Sequence, residues 1–376
     1  MTATPFLRND NSLIARWWWT VDRMTLTALM VLIALGALMA LAASPAVADR
    51  IGLDSFHFAR RQFVFLPFAL VVMLGVSLLS PANVRRLGLA MFAGFYLLTA
   101  ATLVIGVEIK GAHRWLHLGG LSLQPSEFLK PAFAVLVAWM LAEHRLDRHF
   151  PGRAIAFGLL VFVLAILARQ PDIGMSAVIL GTWGVQFFLA GLPFLWVAVL
   201  GLGGVGLLGA AYMAHDHVRS RIDRFFDPSG EEPYQIMRSM QAFKNGGLFG
   251  TGPGEGKVKS MLPDAHTDFV FSVVGEEFGL IAALLVVGIF AFVVLRGFAR
   301  VFKDEDIFVM LATSGLLTQF GLQAIINMSS ALKLIPPKGM TLPFMSYGGS
   351  STVALALGMG MVLALTRHRP RAGGAP

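Results

Sequence analysis

Runs of apolar residues, broken by short polar segments, follow one another along almost the whole chain. A helix needs about 20 apolar residues to cross the hydrocarbon core of a bilayer. By that length the sequence predicts ten spans, at about 24–48, 60–80, 86–107, 127–144, 153–168, 172–191, 192–213, 269–295, 306–329 and 348–366. The joins are short except one, from about His215 to Asp268. The expected architecture is an all-α polytopic membrane protein, one transmembrane domain over residues 1–376. It has a tail at 1–23, a long outer (periplasmic) loop at 215–268 between spans seven and eight, and a tail at 367–376.

Lysine and arginine orient the bundle, because they concentrate in short cytoplasmic loops. With the N-terminus inside, the cytoplasmic segments hold fourteen of them and the short outer loops eight. Both termini are then cytoplasmic, and the long loop faces outward. Ala46, Val47 and Ala48 form an A-x-A pattern that a signal peptidase could cut. The basic leader before it is 23 residues long and the apolar run exceeds a usual signal core, so retention is expected. Within the long loop, Ile236, Met240 and Phe243 recur at helical spacing between Pro233 and Gly246. They predict an amphipathic helix, either lying on the outer membrane surface or packed on the bundle. The glycine-rich stretch 246–259 is either mobile or closely approached by another segment.

Composition agrees with this architecture. The 376 residues are 56% hydrophobic and 14% charged, whereas soluble domains are about a quarter charged. The absence of cysteine excludes disulfides, a thiolate nucleophile and thiol-ligated metal. The formal charge of +8 fits basic residues flanking spans and does not argue for nucleic acid as a partner.

Charged residues inside spans are costly and tend to mark function, so they supply the candidate chemistry. In "QPSEFLKPAF" (124–133), Glu127 and Lys130 share a helix face, as a structural ion pair or as the lining of a polar cavity. Asp172 in "RQPDIGMS" (169–176) suits a helix cap. In "KGAHRWLHLGG" (110–120), Trp115 suits an interfacial anchor and Arg114 an anchor or a lipid-phosphate ligand. His113 and His117 lack the spacing and company of a zinc site. Of Glu276 and Glu277, at least one should face the protein interior, in line with Asp268 about two turns earlier. "PPKGMTLPFMSYGGSS" (336–351) places Lys338, Ser346, Tyr347 and Ser350 among prolines and glycines. Irregular backbone at membrane depth is tolerated where it is buried in protein or lines a cavity. Lys338 is either an anion ligand or a snorkelling side chain.

These pieces, in this order, resemble the SEDS family (shape, elongation, division, sporulation) of peptidoglycan polymerases. The segments that carry the resemblance are "RWLHLGGLSLQPSEFLKPAF", "QPDIGMS", "LPDAHTDFVFSVVGEEFG" and "KGMTLPFMSYGGSS". It spans about Arg114 to Ser351, and "RIDRFFDP" is more similar to the division branch. One departure is the run 327–339, where Pro337 precedes Lys338 and Lys333 is an extra charge, in place of the family's small-residue, glycine-containing run.

The resemblance implies polymerisation of lipid II, a disaccharide-pentapeptide on undecaprenyl diphosphate, at the outer face of the cytoplasmic (inner) membrane during division. Asp268 matches the family's proposed catalytic aspartate and is the expected general base. Arg114, Lys130 and Lys338, with a divalent cation such as Mg²⁺ or Mn²⁺, are expected to stabilise the leaving diphosphate. Trp115, Glu127, His266, Ser346, Tyr347 and Ser350 complete the expected substrate site; the metal ligands stay unassigned. No organic cofactor is expected. The implied partners are the undecaprenyl-diphosphate-linked glycan, membrane lipids, a class B penicillin-binding protein that supplies the missing transpeptidase, and divisome regulators. Intramembrane charges and glycine-rich helices also fit a transporter of the lipid-linked precursor; a third reading is a non-catalytic scaffold for division partners.

Overall fold

The computed structural model describes residues 12–109, 112–119, 121–191, 234–336 and 339–368, with scattered positions between 195 and 223. Its helices are α1 (Leu13–Thr20), α2 (Arg23–Ala48), α3 (His57–Ser77), α4 (Pro81–Ile105), α5 (Pro125–Leu146), α6 (Gly152–Arg169), α7 (Ile173–Leu189), α8 (Tyr234–Gly246), α9 (Val270–Val301), α10 (Ile307–Ala331) and α11 (Gly349–Leu365). Among the described residues, seven helices are long and apolar enough to cross a membrane, and α7 and α11 are shorter apolar ones. Nine of the predicted spans coincide with these helices to within a few residues. The span predicted at 192–213, the adjoining loop up to residue 233, and Lys338 lie largely or wholly outside the described residues.

Local chemistry starts the helices where the sequence places polar caps. Ser80 accepts a hydrogen bond from the Asn83 amide ahead of Pro81, which suits a first helical position. Asp306 accepts from the amides of Phe308 and Val309 to open α10. Asp172 does the same for Met175 at the start of α7, 3.0 Å away.

Two segments differ from expectation. Of the run 110–120, expected to be a loop, residues 112–118 form the middle strand of a small antiparallel sheet of β1 (Val107–Ile109), β2 (Ala112–Leu118) and β3 (Leu121–Leu123), in the order β1-β2-β3. Strand pairing satisfies the backbone of a connection too long for a tight turn. The 1–23 tail contains α1, capped by Ser12 at the Ala15 amide, with Trp17 donating to Ser77 on α3.

α5 stands at the centre: 89% of its apolar window is buried, against 28% for α3, α4 and α9. α4, α6, α7, α10 and α11 pack on it, and α9 joins α10 to α2. Lipid tails are as apolar as leucine, so such helices hold together through close packing and polar contacts. On α2, a β-carbon at Gly36 would stand 2.0 Å from the Phe344 carbonyl oxygen, so only glycine admits that approach.

α9 is interrupted. Gly279 adopts φ 79° and ψ −178°, a region open essentially to glycine alone. The groups freed by the break are taken up by the glycine-rich loop. Thr251 and Gly252 donate to the carbonyls of Glu276 and Glu277, and Leu280 and Ile281 donate to those of Gly247 and Leu248. The stretch 246–259 is thus closely approached by α9 at Gly246 and Gly250, where a side chain would not fit. A β-carbon at Gly250 would meet the Glu277 carbonyl oxygen at 2.1 Å. The helix predicted from Ile236, Met240 and Phe243 is α8, and it packs on α9, with Ile236, Ser239 and Ala242 buried.

Candidate functional site

Asp268 ends a tight loop, residues 262–269, that leads into α9. Asp264 there has φ 54°, and its carbonyl accepts from the amides of Thr267, Asp268 and Phe269. That winding needs outside support, which comes from the 339–348 segment. Ser346 donates its hydroxyl to the Thr267 carbonyl and accepts from the Leu342 amide at 2.8 Å. The Tyr347 amide donates to the His266 carbonyl at 2.8 Å. Asn327 on α10 then ties both segments together: its Nδ2 donates to the carbonyls of Asp268 (2.9 Å) and Met340 (2.6 Å). Oδ2 of Asp268 lies 3.6 Å from the point where a β-carbon on Gly339 would stand, and Gly339 has φ 65°. The carboxylate therefore faces the glycine turn that follows Lys338.

The His266 ring packs against Phe58, with centroids 4.3 Å apart, and against Tyr347 at 5.3 Å. Burial pushes its pKa down to about 4; the Asp264 carboxylate opposes the shift and Arg50 adds to it. The charged imidazole is thereby disfavoured, and the ring's stacking on Phe58 and Tyr347 packs the loop.

Glu127 and Lys130 form a buried pair on α5, with Nζ 2.8 Å from Glu127 Oε2. Lys130 Nζ also donates to Gln323 Oε1 at 2.7 Å, and Gln319 donates to the Lys130 carbonyl at 2.7 Å. A cavity of about 20 Å³ lies beside them, lined by Gln319, Phe320, Gln323 and Met359 among others. It has room for about one water. Gln323 Nε2 donates onward to the carbonyl and hydroxyl oxygens of Thr341, each at 3.1 Å. A continuous set of hydrogen bonds therefore runs from the α5 pair to the segment that supports Asp268.

Arg114 grips the turn before α7. Nε donates to the Gln170 carbonyl (2.9 Å), one amino group donates to the Pro171 carbonyl (2.7 Å), and the other lies 3.3 Å from Asp172 Oδ2. Trp115 sits next to it, half-buried on β2. Ser350 accepts from the Gln124 amide and donates to the Ser122 carbonyl, fastening α11 to the start of α5. The structure thus gathers His266, Ser346 and Tyr347 at the loop that carries Asp268, and joins Lys130 and Glu127 to its supporting segment through Gln323. Arg114 and Ser350 are engaged in holding the hairpin and helix ends.

Several residues escaped the sequence reading. Gln319, Gln323 and Asn327 follow one another at four-residue spacing on α10, all buried. That spacing puts them on one helix face, a signal available in "LTQFGLQAIIN" but hidden by uncharged side chains. Lys259 is the other. It is 6% exposed, and its amino group pairs with Glu277 and donates to the carbonyls of Ala42 and Gly254. Glu276, wholly buried, accepts from the amides of Val258 and Lys259 and from Asn245. Both glutamates face inward and lock the loop against α9.

Residues 22–371 match a family model of cell cycle proteins, the FtsW, RodA and SpoVE group. The chain is 47% identical over 373 residues to a probable peptidoglycan glycosyltransferase FtsW of Caulobacter vibrioides, covering 98% of this chain and 95% of that one. It is 32% identical over 348 residues to stage V sporulation protein E of Bacillus subtilis, covering 90% and 95%. Among solved structures, a chain of a peptidoglycan synthase complex superposes with TM-score 0.77 at 29% identity, covering 93% of this chain and 98% of that one. The rod shape determining protein RodA of Thermus thermophilus superposes with TM-score 0.69 at 28% identity, covering 93% and 97%. With its family model matched from Asp22 onward and its fold shared along nearly its full length, this chain belongs to the FtsW/RodA/SpoVE family, the SEDS proteins.

Proposed function

We propose that this chain polymerises lipid II into glycan strands at the outer face of the inner membrane during cell division, with Asp268 as general base. Family membership and the similarity to FtsW relatives support the peptidoglycan glycosyltransferase reaction and the multi-pass inner-membrane location. The observation that carries the catalytic assignment is the held position of Asp268. Its loop is bonded by Asn327, Ser346 and Tyr347, and its carboxylate faces the Gly339 turn.

The chemistry follows from that position. The acceptor sugar's 4-hydroxyl oxygen forms a bond to the anomeric carbon of the growing strand as the bond from that carbon to the diphosphate oxygen breaks. The hydroxyl proton passes to the Asp268 carboxylate, and the undecaprenyl diphosphate leaves with the electron pair. A sugar alcohol is a weak acid, so a positioned base contributes roughly 10²–10⁴-fold. As in inverting glycosidases, a carboxylate deprotonates the incoming oxygen on the face opposite the leaving group. Lys338, adjacent in sequence to Gly339, and Lys130 are the proposed cations for the diphosphate. Arg114 would join them only by releasing the Gln170 and Pro171 carbonyls. Among the described residues no three His, Asp or Glu side chains converge to hold a metal. Mg²⁺ or Mn²⁺ fits as a companion of the diphosphate, since such ions take one or two carboxylates plus phosphate oxygens; it would neutralise the leaving charge.

The topology we assign has ten spans, cytoplasmic termini and the 215–268 loop outside. A class B penicillin-binding protein supplies the cross-linking activity, in keeping with the synthase complex that shares this fold.

The test is polymerisation of purified lipid II by the reconstituted protein with its cognate transpeptidase, wild type beside Asp268→Ala. Strands from the wild type and none from a folded variant are expected. Equal product from both removes Asp268 as base. No product from either, with partner and divalent cation present, favours a lipid II transporter or a scaffold.

A further inference from the structure

We infer that Asn327 is a positioning residue for the polymerase reaction, the last rung of a polar ladder on α10 that sets Asp268 relative to Glu127 and Lys130. This rests on the assignment of Asp268 as base.

The ladder is built from Gln319, Gln323 and Asn327, which are 6%, 1% and 1% exposed. The orientation of each amide is decided by its partners, and not by choice of flip. Gln323 Oε1 receives Lys130 Nζ, an ammonium that can only donate, so Nε2 must point to Thr341. Both partners of Asn327 Nδ2 are carbonyl oxygens, which can only accept, so the amide nitrogen must lie between Asp268 and Met340. At 1.5 Å rise per residue, Gln319 to Asn327 spans about 12 Å. One straight helix face therefore relates the buried α5 pair to the backbone of the reacting carboxylate. It contacts the Asp268 loop and the glycine turn that its side chain faces with a single side-chain group.

That geometry makes a definite demand. Two carbonyls from segments more than seventy residues apart in sequence share one NH₂ donor. Replacing the donor by an acceptor or a methyl leaves both without it and lets the loop and the turn separate. A shift of about 1 Å in a reacting group costs on the order of 10²-fold in rate. Asn327 touches no reacting atom, so its loss should lower kcat more than it raises KM for lipid II.

The experiment compares Asn327→Leu and the isosteric Asn327→Asp with Gln186→Leu, in full-length protein reconstituted with its transpeptidase. Gln186 on α7 is the matched control. Its Nε2 also bridges two buried carbonyls, Ala134 at 2.7 Å and Leu311 at 3.1 Å. It packs on Gly315, twelve residues from Asn327 and so about 18 Å along α10. Thermal melting, kcat and KM for lipid II, and the pH dependence of kcat are measured for each, with Asp268→Ala alongside. We expect both Asn327 variants to lose about 10- to 100-fold in kcat per folded molecule. KM should stay within about threefold and the acidic limb of the pH profile should move, whereas Gln186→Leu lowers the melting temperature and leaves kcat within about twofold. If Asp268→Ala is inert while Asn327→Leu keeps wild-type kcat and pH profile, the inference alone falls. If all three substitutions outside Asp268 lower kcat in proportion to lost stability, Asn327 is merely structural and the inference also falls. Wild-type activity in Asp268→Ala overturns the base assignment, and the inference with it.

Discussion

His266 shows how one residue changes meaning once its surroundings are known. The family resemblance places it only among the residues of the substrate site; the fold adds that it packs on Phe58 and Tyr347, where burial lowers its pKa to about 4. The unfolded imidazole titrates near 6.5. Between those values the unfolded chain takes up a proton that the folded chain refuses. Stability is therefore unaffected above pH 6.5 and declines as pH falls from 6.5 towards 4. The melting temperature, followed by tryptophan fluorescence, should drop between pH 7 and pH 5, and His266→Gln should flatten that slope. Arg114 makes a second case. It satisfies two carbonyls and neighbours Asp172 with one planar group, which lysine cannot reproduce. Arg114→Lys and Arg114→Ala should both lower stability, by about 2 kcal/mol for the alanine, read as the midpoint of a denaturant or heat transition. An unchanged midpoint with a raised KM for lipid II would instead mark Arg114 as a substrate ligand.

At the scale of elements, the break in α9 and the loop that fills it form one unit. Gly279 cannot be replaced cheaply: its dihedrals exclude a side chain, and a β-carbon would stand 2.4 Å from the Leu248 carbonyl oxygen. Gly279→Ala should abolish accumulation of folded protein, checked by size-exclusion profile after extraction. The pair of Lys259 and Glu277 closes the same unit from the α2 side through the Ala42 carbonyl. Removing one partner of a buried pair costs about 3–5 kcal/mol, because the other charge is stranded. Lys259→Met alone should therefore destabilise more than Lys259→Met combined with Glu277→Leu, and a melting series over the two single variants and the double decides it. No advantage of the double over Lys259→Met would mean that Glu277 finds another partner.

For the molecule as a whole, a clamp at the opposite end from Asp268 joins the start of α2 to the end of α9. Asp22, before α2, accepts two hydrogen bonds from Arg296 at 2.8 Å each and pairs with Arg300 at 2.8 Å. Burial pushes its pKa up, and the hydrogen bonds from Arg296 and Thr25 with the charge of Arg300 outweigh it, to about 2. The stabilisation is complete above the ordinary carboxylate value near 3.8 and is lost as pH falls towards 2. Asp22→Asn should cost roughly 2 kcal/mol at neutral pH, between the exposed and buried limits for such pairs. The same substitution should cost much less at pH 2, where about half of the folded Asp22 is protonated, a contrast that melts at the two pH values would reveal.

The apolar runs by themselves determined the class of fold and nine of its helices, because a segment of about 20 apolar residues has one low-energy way to meet a bilayer. Motif order likewise singled out the 262–269 loop and the buried pair on α5, since charge at membrane depth is visible as an exception to the pattern. Tertiary structure decided what those exceptions touch. The sheet of β1, β2 and β3 was not legible because strand pairing depends on partners that no local period announces. The rungs Gln319, Gln323 and Asn327 were not legible because uncharged amides read as ordinary polar residues until their hydrogen bonds are known. The glycines of 246–259 left two readings open, and only the freed backbone of α9 settles between them, since close approach is a property of two segments and not of one.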